Sequence, residues 1–290
     1  MVEDEMVTAI DVHTHVMTPE GLPEDPLAGR SDDAIDALAS VFGLSKLPSL
    51  AEMATYYRQR NMKFVAFTGD DISRTGVEAA VTSRQILEAA GEYSDVMIPF
   101  GSVDPNRGQE ALDIAERLIA LGAKGFKFHA SQQNFIPNDQ RMYPLYELLQ
   151  EHRSIALFHT GQSGVGRGVR GGGGLRLKST NPIYLDDVAV DFPDMPIIMA
   201  HPSFPWQDEA IAIALHKPQV YIDLSGWSPK YFPPQLVQYA NSLLQDKVLF
   251  GSDFPLISPD DWIEAFDRLG IKDTIRPKIL RDNAARLLGL

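Results

Sequence analysis

Two histidines one residue apart, His13 and His15, end a short apolar run that begins at Thr8. On an extended strand side chains alternate between faces, so Asp11, His13 and His15 are expected on one face and Ile10 and Val12 on the other. Neutral imidazoles at i and i+2 can converge on one point, a geometry that suits a divalent transition metal. The sequence contains no cysteine, which removes disulfides, thiolate nucleophiles and sulfur ligands. His, Asp and Glu remain as candidate ligands.

The segments that must position these residues alternate between apolar strands and helices. Strands are expected at Thr8–His15, Lys63–Phe67, Val96–Val103, Ala123–His129, Ile155–His159, Pro196–His201, Val220–Leu224 and Val248–Asp253. Between them the pattern predicts a loop over Thr18–Arg30, a helix over Ser31–Phe42, and a helix start at Pro48 with Ser49 as cap and Glu52 three residues later. Further helices are expected at Gly76–Ala90, Gln109–Leu121, Tyr143–His152, Ile183–Val190, Trp206–His216 and Gln235–Leu244, with more closing the chain to Leu288. Eight such units over about 250 residues, with no composition break, predict an α/β fold: one (β/α)8 TIM barrel, a single domain over residues 1–290.

Active sites of such barrels lie at the C-terminal ends of the strands. Here those ends carry His13 and His15, His129, His159, His201 and Asp253, so five of the seven histidines gather where chemistry is expected. His152 and His216 fall at helix ends instead.

Composition narrows the partners. A formal net charge of −13 argues against a polyanion binder, so nucleic acid is excluded, although a single anionic small molecule in a local basic pocket is not. No apolar run approaches the roughly 18 to 20 residues that cross a bilayer, and Met1-Val-Glu-Asp-Glu is acidic where a secretory signal is basic. The reading is a cytoplasmic protein without a membrane partner.

His-x-His on the first strand, histidines ending strands five and six, and Gly251-Ser-Asp253-Phe-Pro on strand eight together resemble the metal-dependent amidohydrolase superfamily. Within it they are similar to the branch of 2-amino-3-carboxymuconate-6-semialdehyde decarboxylase, resorcylate decarboxylases and various hydrolases. The resemblance implies that His13, His15, His159 and Asp253 bind one divalent ion, zinc or manganese. It implies that His201 stands beside the ion, catalytic with Asp253 in moving protons, and that the protein forms a homodimer. Such an ion lowers the pKa of a bound water to roughly 7 and polarises a substrate oxygen.

Other residues point at substrate. Lys127 and His129 alternate onto one face of the fourth strand; in binuclear relatives a lysine there is carboxylated and bridges two metals, whereas in the mononuclear branch either residue can face substrate. The loop after His159 carries Arg167, Arg170, Arg176 and Lys178, a positive patch that can clamp a carboxylate or phosphate if the loop acts as a lid. Its Gly166-Arg-Gly-Val-Arg-Gly171 matches a dinucleotide fingerprint in letters only, because no helix follows directly. Trp227, with Tyr231 and Phe232, could line a pocket for a flat substrate, form a dimer contact or pack in the core.

Three functions are compatible with these residues. The first is a metal-dependent hydrolase acting on a small anionic, aromatic or carbonyl-containing substrate. The second is a non-oxidative decarboxylase of an aromatic or unsaturated acid, and the third a barrel that binds without turnover. The compact chain and the Pro-Ser-Phe-Pro-Trp after His201 favour hydrolysis.

Overall fold

All eight expected strands are present in the computed structural model, which describes residues 7–17 and 47–290. They are β1 (Ala9–His15), β2 (Met62–Phe67), β3 (Met97–Pro99), β4 (Gly125–Phe128), β5 (Ile155–His159), β6 (Ile197–Ala200), β7 (Val220–Asp223) and β8 (Val248–Leu249). The expected loop Thr18–Arg30 and helix Ser31–Phe42 lie outside the described residues.

Regular parallel pairing runs β1-β2-β3 and β4-β5-β6-β7-β8. Two irregular seams close the circle. The Gly101 N–H donates to the Gly125 carbonyl and the Lys127 N–H to the Gly101 carbonyl, each at 2.8 Å, joining β3 to β4. The Val12 N–H donates to the Phe250 carbonyl at 3.0 Å, the Asp253 N–H to that of His13 at 3.0 Å, and the His15 N–H to that of Phe254 at 2.7 Å. The result is a (β/α)8 barrel. Regular pairing in β8 stops at Leu249, earlier than the expected Asp253, because the chain beyond it turns to bind β1.

Inside the barrel, Ile10, Val12, Val65, Phe67, Ile98, Phe100, Leu157 and Leu249 form one apolar cluster. Ala284 and Leu288 of the closing helix Asn283–Leu288 pack onto it. The opposite strand faces, among them Phe64, Phe128, Phe158 and Met199, pack against helix residues such as Met53, Leu118, Tyr146 and Val188. Strands buried on both sides explain why their sequences read as nearly unbroken apolar runs.

Helix boundaries follow local capping. The helix Leu50–Arg58 begins with the expected box: the Ser49 hydroxyl accepts from the Glu52 N–H and the Glu52 carboxylate from the Ser49 N–H. The single helix expected over Gly76–Ala90 is instead two, Ile72–Thr75 and Ser83–Ala89. Gly76, with φ of 70°, ends the first, and a second box, Thr82 with Gln85, starts the other. Among the described residues no helix is long and apolar enough to cross a membrane.

Gly125 opens β4 where the backbone has no room for a side chain: a Cβ there would lie 2.6 Å from both the Ile155 carbonyl oxygen and the Phe100 ring. Gly125→Ala is therefore expected to destabilise the barrel by about 1–3 kcal/mol, the usual cost of overpacking a core, read as a lowered denaturant midpoint. An unchanged midpoint would mean that the β3–β4 seam yields freely.

Candidate metal centre

The first strand does not alternate regularly. Its pairing with β2 slips by one residue between Asp11 and Thr14, a β-bulge. Ile10 and Val12 therefore stay in the interior cluster while His13 and His15 also turn inward, and Asp11 faces outward to Tyr57 and Ser252. This corrects the expectation that Asp11 shares a face with the two histidines. The Asp11 carboxyl is pushed up to about 7 by burial, against the pull of hydrogen bonds from Ser252 and Tyr57.

Hydrogen bonds fix which ring nitrogens carry protons. His13 Nδ1 lies 2.9 Å from Asp223 Oδ2, and a carboxylate only accepts, so Nδ1 is the N–H and Nε2 keeps its lone pair. His201 Nδ1 lies 3.0 Å from the Ser225 carbonyl, which likewise only accepts, so His201 Nε2 is also bare. That atom lies 2.9 Å from His159 Nδ1 and must accept its proton, which leaves the lone pair of His159 on Nε2. His159 Nε2 is buried and has no hydrogen-bond partner. The Ser225 hydroxyl sits 3.0 Å from His13 Nδ1 and 2.9 Å from His201 Nδ1, accepting from both.

His13, His15 and Asp253 bring ligand atoms within 4.8 Å of one another. His15 Nε2 is 3.0 Å and His13 Nε2 3.4 Å from Asp253 Oδ1, yet this buried oxygen makes no hydrogen bond. Ligand atoms of two histidines gathered around a buried carboxylate oxygen without a hydrogen bond suit a cation, as does the His/Asp donor chemistry. His159 stands outside the 4.8 Å group, and its qualification is the orphaned Nε2. The other acidic grouping, His13, His201 and Asp223, is no ligand set, because there both histidines present N–H.

The turns that carry these groups are held in uncommon backbone conformations. His201 and Asp253 have φ of 74° and 72°, left-handed values that cost a non-glycine residue about 1 kcal/mol or more. Gly226, with φ of 73°, makes room for them, since a Cβ there would lie 2.5 Å from His201 Nδ1.

Lys127 Nζ lies 3.0 Å from His13 Nε2, and burial lowers it to about 8 while Asp253 and Asp223 pull it back up. The His129 ring stacks on His159 at 3.9 Å and its Nε2 is 3.2 Å from the Ser163 hydroxyl, while the His129 backbone N–H donates to Gln133 Oε1 at 2.8 Å. Gln133 donates onward to the Asp70 and Val103 carbonyls, anchoring this strand end.

Above the histidines the described residues leave a cavity of about 1060 Å³. His15, Lys127, His129, His159, His201, Asp253, Arg167 and Trp227 all line it. Arg170 and Arg176 do not; both are exposed on the outside of the loop. Arg74 lines the cavity unforeseen, but Asp71 and the Gln132 carbonyl already hold its guanidinium. Asp223 and Ser225 are equally unforeseen, the one signal for them being an aspartate at the end of an otherwise apolar strand.

The chain is similar to known proteins over nearly its whole length. A family model described as Amidohydrolase matches residues 10–290. An uncharacterised TIM-barrel protein from Bordetella bronchiseptica is 24% identical, with TM-score 0.77 and 97% of this chain and 98% of that one covered. A dihydroxybenzoic acid decarboxylase from Polaromonas sp., with bound manganese and the inhibitor 2-nitroresorcinol, is 17% identical with TM-score 0.68, covering 98% of each chain. A probable 2-pyrone-4,6-dicarboxylic acid hydrolase from Acinetobacter baumannii, with citric acid bound, is 15% identical with TM-score 0.60, covering 98% of this chain and 100% of that one. No curated protein matches.

Burial lowers His13, His129, His159 and His201, further depressed in the first three by neighbouring cations, so all four favour the neutral form. Burial would raise Asp253, but His15, His13 and His201 outweigh it and hold the carboxyl well below its usual range. For the histidines the folded value lies below the unfolded one, so their contribution to stability is present above about pH 6.5 and is lost as pH falls. Chelator-stripped protein is expected to lose of order 1 kcal/mol per pH unit for each such histidine between about pH 6.5 and 5. Unfolding midpoints that stay flat across that interval would show that these rings protonate freely in the folded state.

Proposed function

The chain belongs to the amidohydrolase family, matched over residues 10–290, and from that premise we propose that it is a metal-dependent hydrolase of a small anionic, carbonyl-containing substrate. The observation that carries this reading is the pair of buried, partnerless ligand atoms, His159 Nε2 and Asp253 Oδ1, beside the bare Nε2 of His13, with Asp253 Oδ1 3.0 Å from His15 Nε2. His13, His15, His159 and Asp253 would hold a single zinc or manganese ion. A divalent ion there supplies Lewis-acid polarisation of a substrate oxygen and lowers the pKa of bound water to about 7.

The chain's own residues do the rest. Asp223 orients His13 through Nδ1, and His201 does the same for His159. His201 also handles the reaction's proton: its Nδ1–H is committed to Ser225, so a proton enters and leaves at Nε2, the atom that His159 Nδ1–H now occupies. Lys127, His129 and Arg167 offer donors to an anionic group, and Trp227 an apolar wall.

Non-oxidative decarboxylation uses the same ligands, and the manganese-bound decarboxylase that shares the fold supports it as the second reading. There the protein's acid protonates the carbon that loses CO2. Release of CO2 from candidate acids separates the two reactions.

Elemental analysis is expected to find one zinc or manganese per chain, in the wild type and in Lys127→Ala alike. Two ions falling to fewer without Lys127 would replace the mononuclear reading with a bridged pair, and no ion in either protein would sink the proposal. His201→Asn is expected to keep the metal and lose about 10²-fold or more in turnover. Loss of metal together with activity would reduce His201 to an orienting partner of His159.

A further inference from the structure

The groups that hold the ligands in place are as telling as the ligands. Val12 and His15 both donate their N–H groups across the β8 seam, three residues apart, where an unbroken strand returns to the same side every two. The extra residue is His13, whose N–H goes to neither neighbouring strand but to Asp11 Oδ1 at 3.1 Å. The same oxygen accepts the Ser252 N–H at 3.0 Å, while Oδ2 accepts from the Tyr57 hydroxyl at 2.7 Å and from the Ser252 hydroxyl. Asp11 has no exposed surface. One fully buried carboxylate therefore takes four donors, drawn from β1, from the turn that carries Asp253, and from the helix Leu50–Arg58.

We infer that Asp11 is a positioning residue for the metal centre: its carboxylate satisfies the bulge that turns His13 and His15 into the barrel, and it clamps that bulge to the Ser252–Asp253 turn. Without the acceptor, the His13 N–H would be buried and unpaired, and the strand would gain by regularising. A regular strand cannot keep Ile10 and Val12 in the interior and also face His13 and His15 inward, because side chains alternate strictly. Asp11 thus decides which residues of the first strand are ligands and which are core. The inference takes its ligands from the metal reading above, but the bulge stands without it.

The test is Asp11→Asn, an amide that sets an NH2 group against two of the four donors. Mn2+ titrated into chelator-stripped protein is expected to bind at least about tenfold more weakly in Asp11→Asn, while Tyr57→Phe, which leaves both backbone donors paired, stays within about threefold of wild type. A lowered unfolding temperature with Mn2+ affinity unchanged would mean a merely structural carboxylate and would overturn the inference. Amide exchange of His13 and Ser252 in the stripped protein provides the readout that needs no metal. In wild type both amides should be protected as well as the β4–β5 ladder, and Asp11→Asn should speed them by about tenfold or more. Free exchange of either amide in wild type overturns the inference even if Asp11→Asn does not fold. Wild type that binds no Mn2+ while showing the expected exchange would sink the metal reading and uphold the role of Asp11 in the bulge.

Discussion

The seam between the last strand and the first is the constraint on which the site depends. A barrel of parallel strands has no free edge only if β8 meets β1, and here the regular ladder of β8 is two residues long. Beyond Leu249 the chain makes single bonds to β1 in place of a ladder, the Asp253 N–H to the His13 carbonyl among them. The bond that closes the barrel thus also sets one ligand-bearing segment against the other. Closure of the fold and assembly of the centre are one event, and the left-handed turn at Asp253 is held by the barrel that it completes.

Behind that seam, protons are placed by acceptors that cannot donate. Asp223 and the Ser225 carbonyl each demand an N–H, from His13 and His201 respectively, and the demand passes through His201 to His159. Two lone pairs, at His13 Nε2 and His159 Nε2, are thereby left unprotonated without any charge on the rings. Burial reinforces this, since taking an imidazolium out of water is more expensive than taking an imidazole. The cavity in front of these rings mixes both signs: Arg74, Lys127 and Arg167 line it together with Asp70, Asp71, Asp253 and Asp261.

The barrel was legible because it rests on period and composition: strands buried on both faces read as apolar runs, and their eightfold alternation with helices has few other solutions. The histidines were legible because strand ends of such a barrel share one rim. The facing of Asp11 was not, since alternation assumes that each backbone N–H goes to a neighbouring strand, and the His13 N–H goes to a side chain two residues back. Asp223 and Ser225 escaped because their importance lies in what they touch, and His13 is far away in sequence. Arg170 and Arg176 share the loop and the charge of Arg167, but only Arg167 lines the cavity, and the side of a glycine-rich loop that a residue faces leaves no periodic signal. The split of the helix expected over Gly76–Ala90 was in fact written in the sequence, as a glycine followed by the Thr82–Gln85 box.

One bond then couples the two tasks proposed for the centre, holding a metal and moving a proton. His159 donates its Nδ1 proton to His201, and a donated proton makes the opposite nitrogen a stronger electron-pair donor. When His201 takes up a proton at Nε2, that acceptor is gone, and two N–H groups would face one another at 2.9 Å unless a ring turns. Proton uptake by His201 therefore weakens the hold of His159 on its own hydrogen bond, and a firm His159 makes His201 a poorer base. Ser225 limits the conflict by accepting at His201 Nδ1 with both its carbonyl and its hydroxyl, a setting that favours the doubly protonated ring once it forms. In the roles proposed for them, the strengths of His159 as a ligand and of His201 as a base are set by the same proton.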